Sequence, residues 1–257
     1  MELRIYDKEK NLHHYKDVLT EKKTEFGKTY ICEEYVLYEF QSKFKHLFNQ
    51  FCNNLEQFSS YKLNEFSKNF PVDYSYYEND LGDFIIEIQK KSDFLNLEDV
   101  LIYGMEVEEI PERQKIWIIN RLFNIICFLG IKHISHNDIR TTNCYVSFKT
   151  HDCCLIGGWH FQTKMDEKIQ FCTKEIWSLL PEFYQKIKTA TPKIDTLSVI
   201  EIGKKLFQEC EHKEFHDFFY NFHYKHRIDI YSEWENLVGS IYKKEFSYWE
   251  LENEYLY

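Results

Sequence analysis

Residues 136–143 read His-Asn-Asp-Ile-Arg-Thr-Thr-Asn. They form a polar stretch between a long amphipathic segment and the short apolar run Cys144-Tyr145-Val146. Asp138 stands five residues before Asn143. A carboxylate and a carboxamide placed this way on a loop suit phosphoryl transfer. The carboxylate takes or orients the proton of an attacking hydroxyl, and the amide oxygen holds a metal ion on the phosphates.

The spacing H-x-D-x-x-x-x-N resembles the catalytic loop of the protein-kinase superfamily. Later landmarks follow in kinase order. Cys153-Cys154-Leu155-Ile156-Gly157-Gly158-Trp159 matches an apolar strand and its turn, with Gly157 where a kinase carries the magnesium-binding Asp. Pro181-Glu182 resembles the end of an activation segment, and Asp195 the acid that opens the central helix of the large lobe. Arg227 resembles the late Arg that pairs with the Glu of the Pro-Glu step, which implies a buried Glu182–Arg227 ion pair. The similarity spans about residues 84–240.

The resemblance implies roles for single residues. Asp138 is the expected catalytic base, competing with a plain loop-capping acid. Arg140 takes the place of a Lys near the transferred phosphate, and Asn143 is the remaining metal ligand. Asp195 is expected to accept N–H bonds from the loop near His136 and Asn137. Lys22 or Lys23 is the expected strand lysine on the phosphates, and Glu33, Glu34 or Glu39 its helix partner, with solvated surface charges as the rival account. A nucleotide base would bond to backbone at Ile88 to Lys90.

The elements that would position these groups are read from periodicity. Residues 1–24 alternate as two or three short strands. Between them residues 6–11 lack the Gly that a phosphate-covering loop requires, and Asp7 and Glu9 would repel phosphate if they pointed inward. Val36, Leu37, Phe40, Phe44, Leu47, Phe48 and Phe51 predict a helix over 30–56. Residues 71–89 read as a hairpin turning at 79–82, with 90–96 as hinge. Residues 111–132 form the clearest helix, opened by Pro111; 160–180 form a short activation segment, and 195–210 a further amphipathic helix.

Composition narrows the classes. A net charge of −10 argues against a general nucleic-acid or membrane-surface binder, because both partners are polyanions. No apolar run approaches the ~20 residues of a membrane span, and the start of the chain does not read as a targeting signal. Eight Cys without such a signal fit reduced thiols in a cytoplasmic protein. Abundant Lys, Asn, Ile, Phe and Tyr suggest an AT-rich genome, a virus, phage or low-GC bacterium, and host cytoplasm if viral. His133, His136, His151, Cys153, Cys154 and His160 lack zinc-site spacing, and Cys144 and Cys154 fall in apolar strands where thiols are inert.

The expected fold is α+β: a two-lobed protein-kinase-like fold, with a reduced β-rich N-lobe over 1–90 and a helical C-lobe over 91–257. The expected function is a pseudokinase, a binding or regulatory module with an unknown protein partner. ATP is its implied cofactor, with weak or absent Mg²⁺ dependence, since Gly157 offers no carboxylate. The rivals are a divergent, weakly active phosphotransferase using Asp138 and Asn143, and a host-interaction protein for which the fold is scaffold.

Overall fold

A computed structural model describes residues 2–59, 64–104, 110–170, 172–222 and 227–243. The chain divides into two compact units: residues 1–95 with 154–160, and residues 96–153 with 161–257.

The first unit is built on a five-stranded antiparallel sheet, in order β3 (Val18–Lys23), β4 (Gly27–Cys32), β5 (Tyr35–Phe40), β7 (Phe84–Gln89) and β6 (Tyr74–Glu78). Strands β1 (Leu3–Tyr6) and β2 (Leu12–Tyr15) pair separately. Ile5 and Tyr15 pack on Tyr30, Cys32, Leu37 and Ile85 from one face of the large sheet. Helix α1 (Lys45–Ser59) covers the other face, with Phe51 against Tyr38 and Phe40 and Phe48 against Phe84.

The helix expected over 30–56 is thus corrected. Residues 30–40 belong to two strands and the turn between them, and the α-helix begins only at Lys45. Strand β5 is central and buried on both faces, so its apolar residues run on without alternation and imitate a helical stripe. Glu33, Glu34 and Glu39 therefore lie on no helix. The hairpin expected over 71–89 is present as β6 and β7. Its turn holds Gly82 at φ +84°, and the Asn79 Oδ1 accepts the N–H groups of Leu81 and Asp83.

The second unit follows β8 (Leu95–Asn96) and the short α2 (Leu97–Asp99), and is organised by α3 (Glu112–Ile131). Helix α3 is the one helix among the described residues long and apolar enough to cross a membrane, yet most of it is buried against its neighbours. Short strands β9 (Ile134–Ser135) and β10 (Cys144–Ser147) flank the loop 136–143 along the chain, and β11 (Asp152–Leu155) and β12 (Thr163–Lys164) follow. Then come α4 (Lys174–Leu179), α5 (Glu182–Ile187), α6 (Pro192–Leu206), α7 (Lys213–Tyr220) and α8 (Arg227–Tyr242). Helix α6 starts earlier than its apolar stripe suggests, because Thr191 caps it and Pro192 pre-sets its first turn.

Trp234 centres the aromatic core of this unit, touching Phe123, Phe207, Phe215 and Phe219. Gly203 on α6 lets α7 approach: a Cβ there would sit 2.2 Å from the Phe219 ring. Phe219 is fully buried and has nowhere to go. Gly203→Ala should therefore overpack the core and lower stability by ~1–3 kcal/mol, although alanine favours helix. A denaturation midpoint unchanged or raised by Gly203→Ala would refute this close approach.

Candidate functional site

The loop 136–143 is held from below by Asp195, in the first turn of α6. Its carboxylate accepts the backbone N–H of His136 at 2.8 Å and of Asn137 at 2.9 Å, as the resemblance implied. Both donors are buried, and an unpaired buried N–H is costly. Asn137 adopts φ +63°, the left-handed region that asparagine tolerates better than most residues. Its side chain then locks the bend: Oδ1 accepts Ser135 Oγ at 2.7 Å, and Nδ2 donates to the Phe161 carbonyl at 2.8 Å.

These bonds place Asp138 inside the second unit with 1% of its surface exposed. Arg140 grips it in a fork, Nε to Oδ1 at 2.5 Å and Nη2 to Oδ2 at 3.1 Å. The Asn143 Nδ2 donates to the same Oδ2 at 2.6 Å and to the Asp138 carbonyl at 2.9 Å. The Arg140 Nη1 reaches the Glu175 Oε2 at 3.3 Å, from the first turn of α4. Asp138, Arg140 and Asn143 thus come together, and each carboxylate oxygen already has a donor.

Burial pushes the Asp138 carboxyl up to about 6, outweighing the pull of Arg140 and Asn143. The two ends of the ion pair fare differently. Burial also works against the Arg140 charge, but Arg140 keeps more contact with water, and Asp138 and Glu175 together move its pKa upward.

In the first unit Gly157 and Gly158 follow the buried Ile156, and Gly158 turns at φ +82°. Trp159 is fully buried against Phe58 and Phe70, and the Asn54 side chain donates to its carbonyl at 2.7 Å. The His160 ring stacks on Phe51 and meets Phe40 and Phe26 edge-on, with centroids 5.2–5.7 Å apart. Phe26 sits in the turn between β3 and β4, pinned by Thr24 Oγ1 and by the Gln41 N–H on its carbonyl. Gly27 beside it passes so close to β5 that a Cβ would meet the Glu39 carbonyl oxygen at 2.0 Å.

The remaining candidates lie as follows. Lys22 and Lys23 end β3, an edge strand, with Lys23 exposed. Ile88 is fully buried in β7, paired with both β5 and β6. The Lys90 ammonium donates to the Glu33 carbonyl, and burial moves its pKa down. The Lys90 N–H goes to the Glu34 carbonyl and the Gln89 N–H to Asp73, so both donors are spent within the unit. Residues 6–11 join β1 to β2 and bond to the large sheet at the β6–β7 turn, where the Lys8 N–H donates to the Glu78 carbonyl at 2.9 Å. Asp7 there accepts the N–H groups of Glu9 and Asn11 and caps its own loop. Glu182 departs from the expected buried pair: its side chain is 80% exposed and meets Lys186 on the same turn. The Arg227 side chain lies outside the described residues.

No family model matches the chain, and no curated protein matches it. Among solved structures it is similar to the crystal structure of a BubR1 kinase domain, with a TM-score of 0.60 and 11% identity. The match covers 88% of this chain and 80% of that one. The chain has a kinase-like fold.

In a kinase-like sheet the phosphate-holding Lys sits on the third strand and pairs with a Glu of the helix that follows. By order in the sheet that strand is β5, which reads Tyr35-Val36-Leu37-Tyr38-Glu39-Phe40 and has no Lys. Tyr38 takes the α1-facing position and packs on Phe51 at 5.3 Å. The one acid of α1, Glu56, is exposed and accepts from the Tyr76 hydroxyl. Sequence reasoning missed Tyr38 because it read β5 as helix. It missed Glu175 too, although Thr173-Lys174-Glu175 is a helix-start signal.

Two outcomes follow. Asp195→Asn keeps one acceptor oxygen and turns the other into a donor facing a backbone N–H. It should cost ~1.5–3 kcal/mol, and an unchanged melting temperature would contradict the bracing role. For Asp138, the folded pKa of about 6 lies above the ordinary carboxylate value, so the folded form binds this proton more tightly. Its penalty is present above pH 6 and relieved as pH falls toward 4. Asp138→Asn sets an amide N–H against Arg140 or Asn143 and should cost stability, but the melting-temperature gap between variant and wild type should move in wild type's favour as pH falls from about 7.5 toward 4. A gap independent of pH would contradict the raised carboxyl.

Proposed function

We propose that this chain is a pseudokinase: a kinase-like scaffold that binds and regulates a protein partner without transferring phosphate. The observation that carries this is Tyr38 on Phe51, an aromatic contact where phosphoryl transfer needs a Lys–Glu pair. Gly157 supplies no carboxylate for magnesium, and Arg140 with Asn143 occupies both oxygens of Asp138. The turn at Phe26 carries aromatic bulk in place of the bare backbone amides a phosphate needs. Nucleotide should bind weakly, with little dependence on Mg²⁺.

A second reading, a divergent phosphotransferase, draws on Asp138 itself. Its carboxyl, raised to about 6, is still a base at neutral pH and lies beside Asn143. Radiolabelled ATP turnover separates the two, using wild type, Arg140→Ala, Asp138→Ala and Gly157→Asp in Mg²⁺ and in Mn²⁺. The pseudokinase predicts background turnover throughout. Arg140→Ala frees the carboxylate without restoring lysine or metal ligand, and Gly157→Asp restores only the ligand. Robust wild-type turnover abolished by Asp138→Ala would establish the phosphotransferase.

A further inference from the structure

The Pro181-Glu182 step opens α5 in solvent, and α5 rests on its unit through one side only. Tyr184 packs on the cluster that holds Ile176, Leu180 and Ile194, with the Lys193 ammonium 4.2 Å above its ring. Gln185 donates to the Leu180 carbonyl at 2.7 Å. The other four residues of α5, Glu182, Phe183, Lys186 and Ile187, are exposed. Phe183 is 66% exposed, more than any other described aromatic side chain, and Ile187 is 40% exposed.

This outer face is ordered in two lines, because residues four apart are neighbours along a helix. Glu182 and Lys186 form one line and pair at 2.7 Å, both mostly in water. Phe183 and Ile187 form the next. The charges stand at opposite ends, Glu182 in the first turn and Lys186 in the last. Such a face is its own complement. A two-fold axis that sets two copies of α5 antiparallel and face to face keeps each line on its own side and reverses its direction. Glu182 then meets the second copy's Lys186, and Phe183 meets the second copy's Ile187. Lys188, just past the end of α5, has the sign of Lys186 and strengthens the same match. Parallel pairing would instead set acid on acid and base on base.

We propose that a second copy of this chain covers α5, in a symmetric dimer where Phe183 and Ile187 make the contact and Glu182 and Lys186 fix its direction. Two apolar residues per copy make a small interface, so the dimer is weak and forms at high concentration. None of the residues behind the pseudokinase reading takes part. ATP turnover would therefore leave the dimer standing, and a monomer would leave that reading standing.

Sedimentation velocity of the full-length protein over a concentration series is the experiment. Wild type should move from monomer toward dimer as concentration rises. Phe183→Asp should weaken self-association about tenfold or more. Leu81→Asp, at the 82%-exposed tip of the β6–β7 turn, should leave it unchanged. Glu182→Lys and Lys186→Glu each place like charges at both ends of the contact and should weaken it about threefold or more at low salt. Mixed in equal amounts, these two variants face opposite charges again. They should associate more tightly than either does alone, a gain that misfolding cannot produce and that added salt should shrink. A wild type monomeric to its solubility limit, a dimer indifferent to Phe183→Asp, or a mixture no tighter than its components would each overturn the proposal.

Discussion

A single carboxylate anchors the loop on which the second unit turns. Asp195 accepts the N–H groups of two consecutive residues, His136 and Asn137, inside protein where water cannot replace it. Charged acceptors make stronger hydrogen bonds than neutral ones, and burial raises the cost of losing them. With those N–H groups fixed, Asn137 is held in the left-handed region and its side chain ties β9 to the Phe161 carbonyl. The direction of Asp138 follows from that bend. This support serves loop geometry whatever the loop does.

The altered positions lie on separate elements, yet each is well packed. Tyr38 on β5 and His160 after the Gly157-Gly158 turn both lean on Phe51 of α1. Phe26 joins His160 from the first hairpin of the sheet. Aromatic contacts of this kind are worth ~0.5–1.5 kcal/mol each beyond the area they bury. At these positions the first unit thus carries rings that stabilise the fold. In the second unit Arg140 uses its fork to satisfy a buried acid.

Sequence alone disclosed the polar loop, the long helix α3 and the β6–β7 hairpin, each from a local signal: a spacing, a Pro at a helix start, a Gly in a turn. The brace from Asp195 was implied by the kinase resemblance and is present. It misplaced β4 and β5 because a strand buried on both faces loses its period of two, and Val36, Leu37 and Phe40 then fit a helix as well. That error hid Tyr38 and sent the search for a helix acid to Glu33, Glu34 and Glu39. Counting strands from the chain start puts loop 6–11 at the place of a phosphate cover, whereas the pairing gives β1 and β2 a two-stranded sheet of their own. Glu182 misled for a different reason. A Pro-Glu step opens a helix in solvent as readily as in a core, and the dipole rewards the acid either way.

The fully buried Trp159 has a consequence for recognition. In a working phosphotransferase the segment after the metal-binding position must shift between states, and any partner pays to select one of them. Here that segment is walled in by Phe58, Phe70 and the Asn54 amide. A segment packed in this way has little conformational entropy left to lose, so any association that orders it further costs little on that account.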